Sequence, residues 1–172
     1  MGLSSMSSAK LRSEIIAARD RRQELLERQF SGGYLATVFV SLNIPGKDKN
    51  PPGAEALFSI ALRCLGREFP DAENKVRSND SLGPYAIISL NSEAVGVKRR
   101  CITTETAYPF ARLVDFDVFN GNGIQIDRAM LGLSPRRCLI CDQAAVDCIR
   151  LQRHETEEVL RKTDELLAPF RN

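Results

Sequence analysis

Apolar and polar positions alternate with two different periods along this chain, and the switches between them outline its elements. From about Ser13 to Gln29, Ile15, Ile16, Ala18, Leu25 and Leu26 recur at helical spacing beside Arg12, Arg19, Arg21, Arg22 and Arg28, which predicts a basic amphipathic helix. Glu14, Asp20, Glu24 and Glu27 on the same segment are natural partners for those arginines. Ser31-Gly32-Gly33 ends the helix, and the aromatic and β-branched run Tyr34 to Leu42 predicts a buried strand closed by Asn43-Ile44-Pro45-Gly46. After Pro51-Pro52-Gly53, the residues Ala54, Leu57, Phe58, Ala61, Leu62, Leu65 and Phe69 predict a second helix packed on a core. Tyr85 to Leu90 and Val95 to Ile102 read as two further strands, the latter sending Lys98 and Arg100 to one face and containing Cys101. A strand from Arg112 to Val118, the turn Asn120-Gly121-Asn122-Gly123 and a hairpin partner over Ile124 to Ile126 follow. The last helix starts at Thr156, ahead of Glu157 and Glu158. Helices mixed with closely spaced strands predict an α+β protein, a mixed sheet with flanking helices, rather than a helical bundle.

Composition narrows the class. The chain has 172 residues, 43% hydrophobic and 27% charged, which suits a serine-rich tail over residues 1–9 and one domain over residues 10–172. A net charge of +2 and few aromatics argue against a nucleic-acid partner. The absence of a long apolar run argues against a membrane one, and a cytoplasmic location is expected. Five cysteines without an export signal point to thiols or metal ligands rather than a disulfide framework. Cys64 and Cys101 are read as packing residues.

The strand Arg112-Leu113-Val114-Asp115-Phe116-Asp117-Val118 carries the first candidate chemistry. Alternation places Leu113, Asp115 and Asp117 on one face and Val114, Phe116 and Val118 on the other. Cα atoms two apart on a strand are separated by roughly 6 to 7 Å, so two carboxylates of this origin can converge on Mg²⁺. The bland alternative is an edge strand with two solvated aspartates. Loop residues Asn43, Lys47 and Lys49 at the end of the first strand supply an amide and two ammonium groups. A second candidate is Cys138, Cys141, Cys148 and the single histidine, His154, within seventeen residues. Thiolates and imidazole suit a structural Zn²⁺; packed thiols or a redox C-x-x-C pair remain alternatives. Six residues of helix advance about 600°, which would point Cys148 and His154 about 120° apart, so a zinc site demands a helix break between them.

Taken together these motifs resemble the synthases of holo-citrate lyase, the apo-citrate lyase phosphoribosyl-dephospho-CoA transferases or CitX family, over nearly the whole chain. The resemblance rests on Ala17-Ala18-Arg19-Asp20-Arg21-Arg22, Leu42-Asn43-Ile44-Pro45-Gly46 with Lys49, the Arg112 to Val118 strand, Arg128 with Leu131-Gly132-Leu133, and Arg136-Arg137-Cys138-Leu139-Ile140-Cys141 through Cys148 to His154. Ala111, where Gly is usual, and Glu155, where a capping Ser is expected, depart from it. The resemblance implies a nucleotidyltransferase-like fold and reaction. A serine of the citrate lyase acyl carrier (gamma) subunit would attack triphosphoribosyl-dephospho-CoA and displace pyrophosphate. It further implies Asp115 and Asp117 as catalytic Mg²⁺ ligands, Arg112 as a phosphate contact, and Asn43, Lys49 and Arg128 as substrate contacts. Strict alternation sets Arg112 opposite the aspartates unless the strand starts there. The arginine-rich helix or Arg136-Arg137 would guide an acidic carrier. The competing expectations are the same transfer to the malonate decarboxylase carrier, or a non-enzymatic zinc module that binds a carrier or nucleic acid.

Overall fold

The computed structural model describes residues 8–171, with helix α1 (Ser8–Phe30), strand β1 (Ala36–Leu42), helix α2 (Ala54–Glu68), strands β2 (Glu73–Asp80) and β3 (Gly83–Leu90), and helix α3 (Ala94–Thr106). A 3-10 turn (Pro109–Leu113) leads into β4 (Val114–Asn120), the short β5 (Gln125–Ile126), α4 (Ala145–Arg150), α5 (Thr156–Leu167) and a closing 3-10 turn (Ala168–Phe170). Of the expected tail, residues 1–7 lie outside the described residues, and α1 is already helical at Ser8. The strands form one sheet in the order β2-β3-β1-β4-β5, antiparallel at each pairing, with helices flanking it. The α+β reading stands.

Alternation along the central strands divides the core in two. Val38, Val40, Ile88, Phe116 and Val118 share one face and join Leu57, Phe58 and Leu65 of α2 and Val97 and Cys101 of α3 in the larger cluster. Phe39, Tyr85 and Ile87 on the opposite face meet Leu26 of α1. Arg22, expected on a solvated helical face, is buried there instead. Its guanidinium donates to Asp80 at 2.7 and 3.0 Å and to the Gly83 carbonyl at 2.7 Å, and lies 4.4 Å from the Tyr85 ring centre. Gly83 sits at φ 93°, and a Cβ there would stand 2.7 Å from the Lys49 carbonyl oxygen, so only glycine fits this close approach.

Two elements differ from the sequence expectation. Residues 95–102, read as a strand from their β-branched content, lie in α3. Glu93 caps that helix by accepting from the Val95 and Gly96 N–H groups, and Ala94, Val97, Lys98, Cys101 and Glu105 are buried at helical spacing. Lys98 and Arg100 therefore diverge: Lys98 turns into the core, whereas Arg100 pairs with exposed Glu68 at 2.8 Å. Strand β2 carried no strand signal, because Glu73–Asp80 is largely polar. It forms at the sheet edge by pairing with β3.

Candidate active site

The 3-10 turn ends at Leu113, so β4 begins at Val114, two residues after the Arg112 start that the acidic motif suggests. Leu113 consequently belongs to the main core rather than to the aspartate face, and Arg112 belongs to the turn, which removes the objection that alternation would aim it away. Asp115 pairs across the sheet with Ser41 and Asp117 with Phe39, placing both carboxylates on the α1 side, opposite Phe116. The Asp117 carboxylate accepts from the Gln125 amide at 2.7 Å. Burial and then the neighbouring Asp115 charge push Asp117 up to about 6 from 3.8. Behind the pair, β5 is too short to cover the edge of β4 at Phe116. Buried side chains take over: Glu105 accepts from the Phe116 N–H at 3.2 Å, and Lys98 donates to its carbonyl at 2.6 Å. Arg128 completes this network by donating to Glu105 at 2.8 Å.

A pocket of 610 Å³ opens where the end of β1 meets the start of β4. That volume suits a small-molecule ligand. Asn43, Lys49, Arg112, Arg136 and Arg137 line it, with apolar Ile44, Ile149 and Val159. Lys49 donates to the Ile44 carbonyl at 2.5 Å, which folds its loop shut, and burial lowers its pKa below 10.5. Gly46 of that loop has φ 87°, and a Cβ there would meet Leu160 of α5 at 2.8 Å. Neither aspartate lines the pocket. Arg136 joins the two: it lines the pocket, donates to Asp115 at 3.2 Å, to the Arg112 carbonyl at 3.0 Å and to the Val114 carbonyl. Of the sequence candidates, Asn43, Lys49 and Arg112 are thus brought together, Asp115 and Asp117 adjoin them through Arg136, and Arg128 stays on the far edge of β4 with Glu105. The sequence marked Arg136 only as a docking residue; its contact with Asp115 spans 21 positions and has no local signature.

The helix break that a zinc site demands is present. Helix α4 stops at Arg150, Gln152 takes φ 46°, and α5 resumes at Thr156. His154 is thereby free to fold back. The ligand atoms of Cys138, Cys141, Cys148 and His154 all lie within 4.8 Å of one another. Cys141 Sγ is 3.6 Å from Cys148 Sγ and 3.3 Å from His154 Nε2. A tetrahedral ion with ordinary Zn–S and Zn–N bonds has ligand–ligand edges of about 3.5 to 3.8 Å, so this cluster could hold one metal ion. His154 Nδ1 faces Glu158 at 3.6 Å, the kind of carboxylate that orients a ligating imidazole. Burial and the neighbouring thiols push Cys148 up to about 12. Against its own burial, Cys138 is held at about 7 by the N–H groups of Cys141 and Ile140 and by the other thiols.

The model of the family described as apo-citrate lyase phosphoribosyl-dephospho-CoA transferase matches residues 11–170. The chain belongs to this family. A probable apo-citrate lyase phosphoribosyl-dephospho-CoA transferase of Streptococcus pyogenes serotype M18 (strain MGAS8232) is 34% identical over 172 residues, covering 93% of this chain and 86% of the relative. The enzymes of that name from Escherichia coli O1:K1 / APEC and Shigella flexneri serotype 5b (strain 8401) are each 28% identical over 158 residues, covering 90% and 86%. As a member of this transferase family the chain is an enzyme. Its two departures from the family pattern have modest structural weight. Ala111 is buried in the 3-10 turn, outside the positive-φ residues, so it needs no glycine freedom. Glu155 occupies the N-cap of α5 without a side-chain capping bond.

Proposed function

We propose that this protein transfers the phosphoribosyl-dephospho-CoA group from triphosphoribosyl-dephospho-CoA to a serine of the citrate lyase acyl carrier (gamma) subunit, with residues 10–172 acting as one transferase domain. The observation that carries the reading is a pocket walled by Lys49, Arg112, Arg136 and Arg137, joined through Arg136 to an acidic pair, in a chain of this family. Four cationic side chains suit a triphosphate, and the apolar wall suits the nucleotide end of the donor. Arg112 and Arg136 hold the phosphates at the mouth beside β4, Lys49 supports them from the β1 loop, and Asn43 offers its amide. Arg128 acts at a distance, by fixing Glu105 and hence the backbone of β4 at Phe116.

The donor set at Asp115 and Asp117 is hard oxygen, and the burial and neighbouring Asp115 charge that raise Asp117 are both offset by a divalent cation, so the pair fits Mg²⁺. Bound there, Mg²⁺ would neutralise phosphate charge and acidify the incoming hydroxyl. The chain's own groups orient the reaction: Gln125 fixes Asp117, and Arg136 fixes Asp115 against the pocket wall. The serine oxygen forms a bond to the α-phosphorus, the bridging bond to the β-phosphate breaks, pyrophosphate departs, and the hydroxyl proton is released. The nucleophile belongs to the acceptor, so the enzyme needs no activated serine or thiol of its own. Structural Zn²⁺ held by Cys138, Cys141, Cys148 and His154 belongs to the same reading. The acceptor named for the relatives favours citrate lyase over the malonate decarboxylase carrier and over a non-enzymatic module.

Intact mass of the acyl carrier subunit after incubation with the protein, Mg²⁺ and donor tests this. The expected result is a gain equal to one phosphoribosyl-dephospho-CoA group, absent when the acceptor serine is replaced. No gain with folded enzyme and competent carrier overturns the assignment.

A further inference from the structure

The cysteine–histidine cluster and the pocket share residues. Cys138, Cys148 and His154 themselves line the pocket; only Cys141 stands behind it. Arg136 and Arg137 immediately precede Cys138, so the ligand loop and the arginine wall are one piece of chain. That piece has little else to hold it. Between Ile126 and Ala145 no helix or ladder strand forms. The loop is closed by one isolated bridge, Arg137 to Ala144, with Cys138 N–H donating to the Gln143 carbonyl at 2.7 Å and Ala145 N–H to the Arg136 carbonyl at 2.8 Å. Helix α4 adds no apolar anchor: Cys148 is its only buried residue, while Val146 is 63% and Ile149 75% exposed. Hydrophobic burial therefore gives α4 no anchor, and it holds the preceding chain to the core only through Leu131 and, within the ligand loop, the partly buried Leu139, neither of which sets the position of Arg136. What converges on one point is four ligand atoms from three separate pieces: the 138–141 loop, α4, and the stretch after Gln152.

We propose that a metal ion of soft-ligand preference, Zn²⁺, bound at Cys138, Cys141, Cys148 and His154 positions the arginine wall of the pocket, so that metal binding and polyphosphate binding are thermodynamically coupled. The coupling is mechanical. Pinning Cys138 fixes Arg136 two residues upstream, whose guanidinium spans the Arg112 and Val114 carbonyls and Asp115 and can do so in one orientation only while its backbone is held. With the ligands released, loop and α4 lose their common tether and the arginines lose their shared geometry. Linkage requires the converse: bound polyphosphate, by holding Arg136 and Arg137, tightens the metal by the same factor. The inference rests on the proposed function only in assigning the pocket to a polyphosphate ligand.

The test uses the full chain and inorganic pyrophosphate, in magnesium-free buffer without free zinc. Elemental analysis after exhaustive dialysis is expected to give one zinc per wild-type chain, and cobalt substitution the thiolate charge-transfer and tetrahedral d–d bands. Calorimetric titration then compares pyrophosphate affinity in zinc-loaded wild type, Cys141→Ala, His154→Ala and His154→Cys. Cys141 does not line the pocket, so loss of affinity there reports the tether and not a lost contact. The expected result is zinc loss with at least about tenfold weaker pyrophosphate binding in both alanine variants, since coupling free energies of 1–3 kcal/mol correspond to 5–150-fold. His154→Cys, which rebuilds a four-ligand site, retains zinc and stays within about twofold of wild type. Circular dichroism checks that the variants keep their helices and sheet, and removal and re-addition of Zn²⁺ to wild type provides a second route that needs no substitution. Unchanged pyrophosphate affinity in a folded, zinc-free protein overturns the coupling while leaving the transfer reading intact. A wild type without metal, its thiols paired as disulfide, overturns it too. Failure of zinc-loaded wild type to bind pyrophosphate overturns both the coupling and the phosphate assignment of the pocket, whereas failure of the carrier mass assay alone touches only the proposed reaction.

Discussion

The α2/α3 side of the sheet and the segment from Asp127 to Glu155 are held by different forces. In the first, Phe58, Phe116, Leu57, Val38 and Val118 are almost wholly removed from water, and each is at a strand or helix position that its local period dictates. In the second, apolar contact with the main core is confined to Leu131 and the partly buried Leu139, a six-residue helix buries one cysteine, and the path is set largely by a guanidinium on two carbonyls and by four convergent ligand atoms. Apolar burial is non-directional and tolerates repacking; ligand and guanidinium geometry is directional and fails as a unit. A scaffold of the first kind can carry a pocket wall of the second kind, whose position then responds to what is bound.

Phe116→Ala tests the scaffold most severely. It is expected to lower the unfolding free energy by about 3–5 kcal/mol, read from urea denaturation, because it opens a cavity between β4 and the helices. A loss under about 1 kcal/mol would mean that this face is not the main core. The acidic pair lies on the boundary between the two regions, and there the expected effect falls on activity and not on stability. Asp115→Asn should cut carrier modification by at least about a hundredfold, or about 2.7 kcal/mol, with the urea midpoint nearly unchanged; retained transfer would remove the pair from the mechanism.

Asp117 distinguishes function from stability on the same strand. Its folded pKa, raised to about 6 from 3.8, means that the folded protein holds the proton more tightly than the unfolded chain does. Below about pH 4 both states are protonated and the strain is absent; as pH rises through 6 the folded state must carry the buried charge. Asp117→Asn is therefore expected to stabilise the protein at pH 8 without divalent cations by about 1–2 kcal/mol, allowing for partial solvation, and to leave it near wild type at pH 4. An equal gain at both pH values would contradict the burial account. The smallest effect on the scaffold should come from removing zinc. Limited proteolysis is expected to cut first between Arg136 and Arg153, while the urea midpoint of the sheet moves by less than about 1 kcal/mol; early cuts in β1 or β3 would show that the two regions are not separable.

Reading the residues without the structure recovered features whose cause is local. Alternation through Val114, Phe116 and Val118 put Asp115 and Asp117 on a common face, helical spacing from Ala54 to Phe69 marked the core helix, and the angular argument on Cys148 and His154 required the break that Gln152 supplies. It failed where local preference and tertiary setting disagree. The β-branched residues of α3 suggested a strand, yet the Glu93 cap and the buried spacing of Val97, Lys98 and Cys101 were present as a weaker helical signal. In β2 the polar sequence held no signal, since that strand exists only by pairing with β3.

The sequence by itself determined the periods, the ligand types and the family, because each is a property of neighbouring residues or of their order. Only the tertiary structure decided that Arg22 leaves its helix face for Asp80, that Glu105 and Lys98 close the open edge of β4, and that Arg136 ties the pocket to Asp115. Those contacts join residues 58, 11, 18 and 21 positions apart. Side chains so separated meet only once packing has fixed the path of the chain between them, and no local period encodes that path.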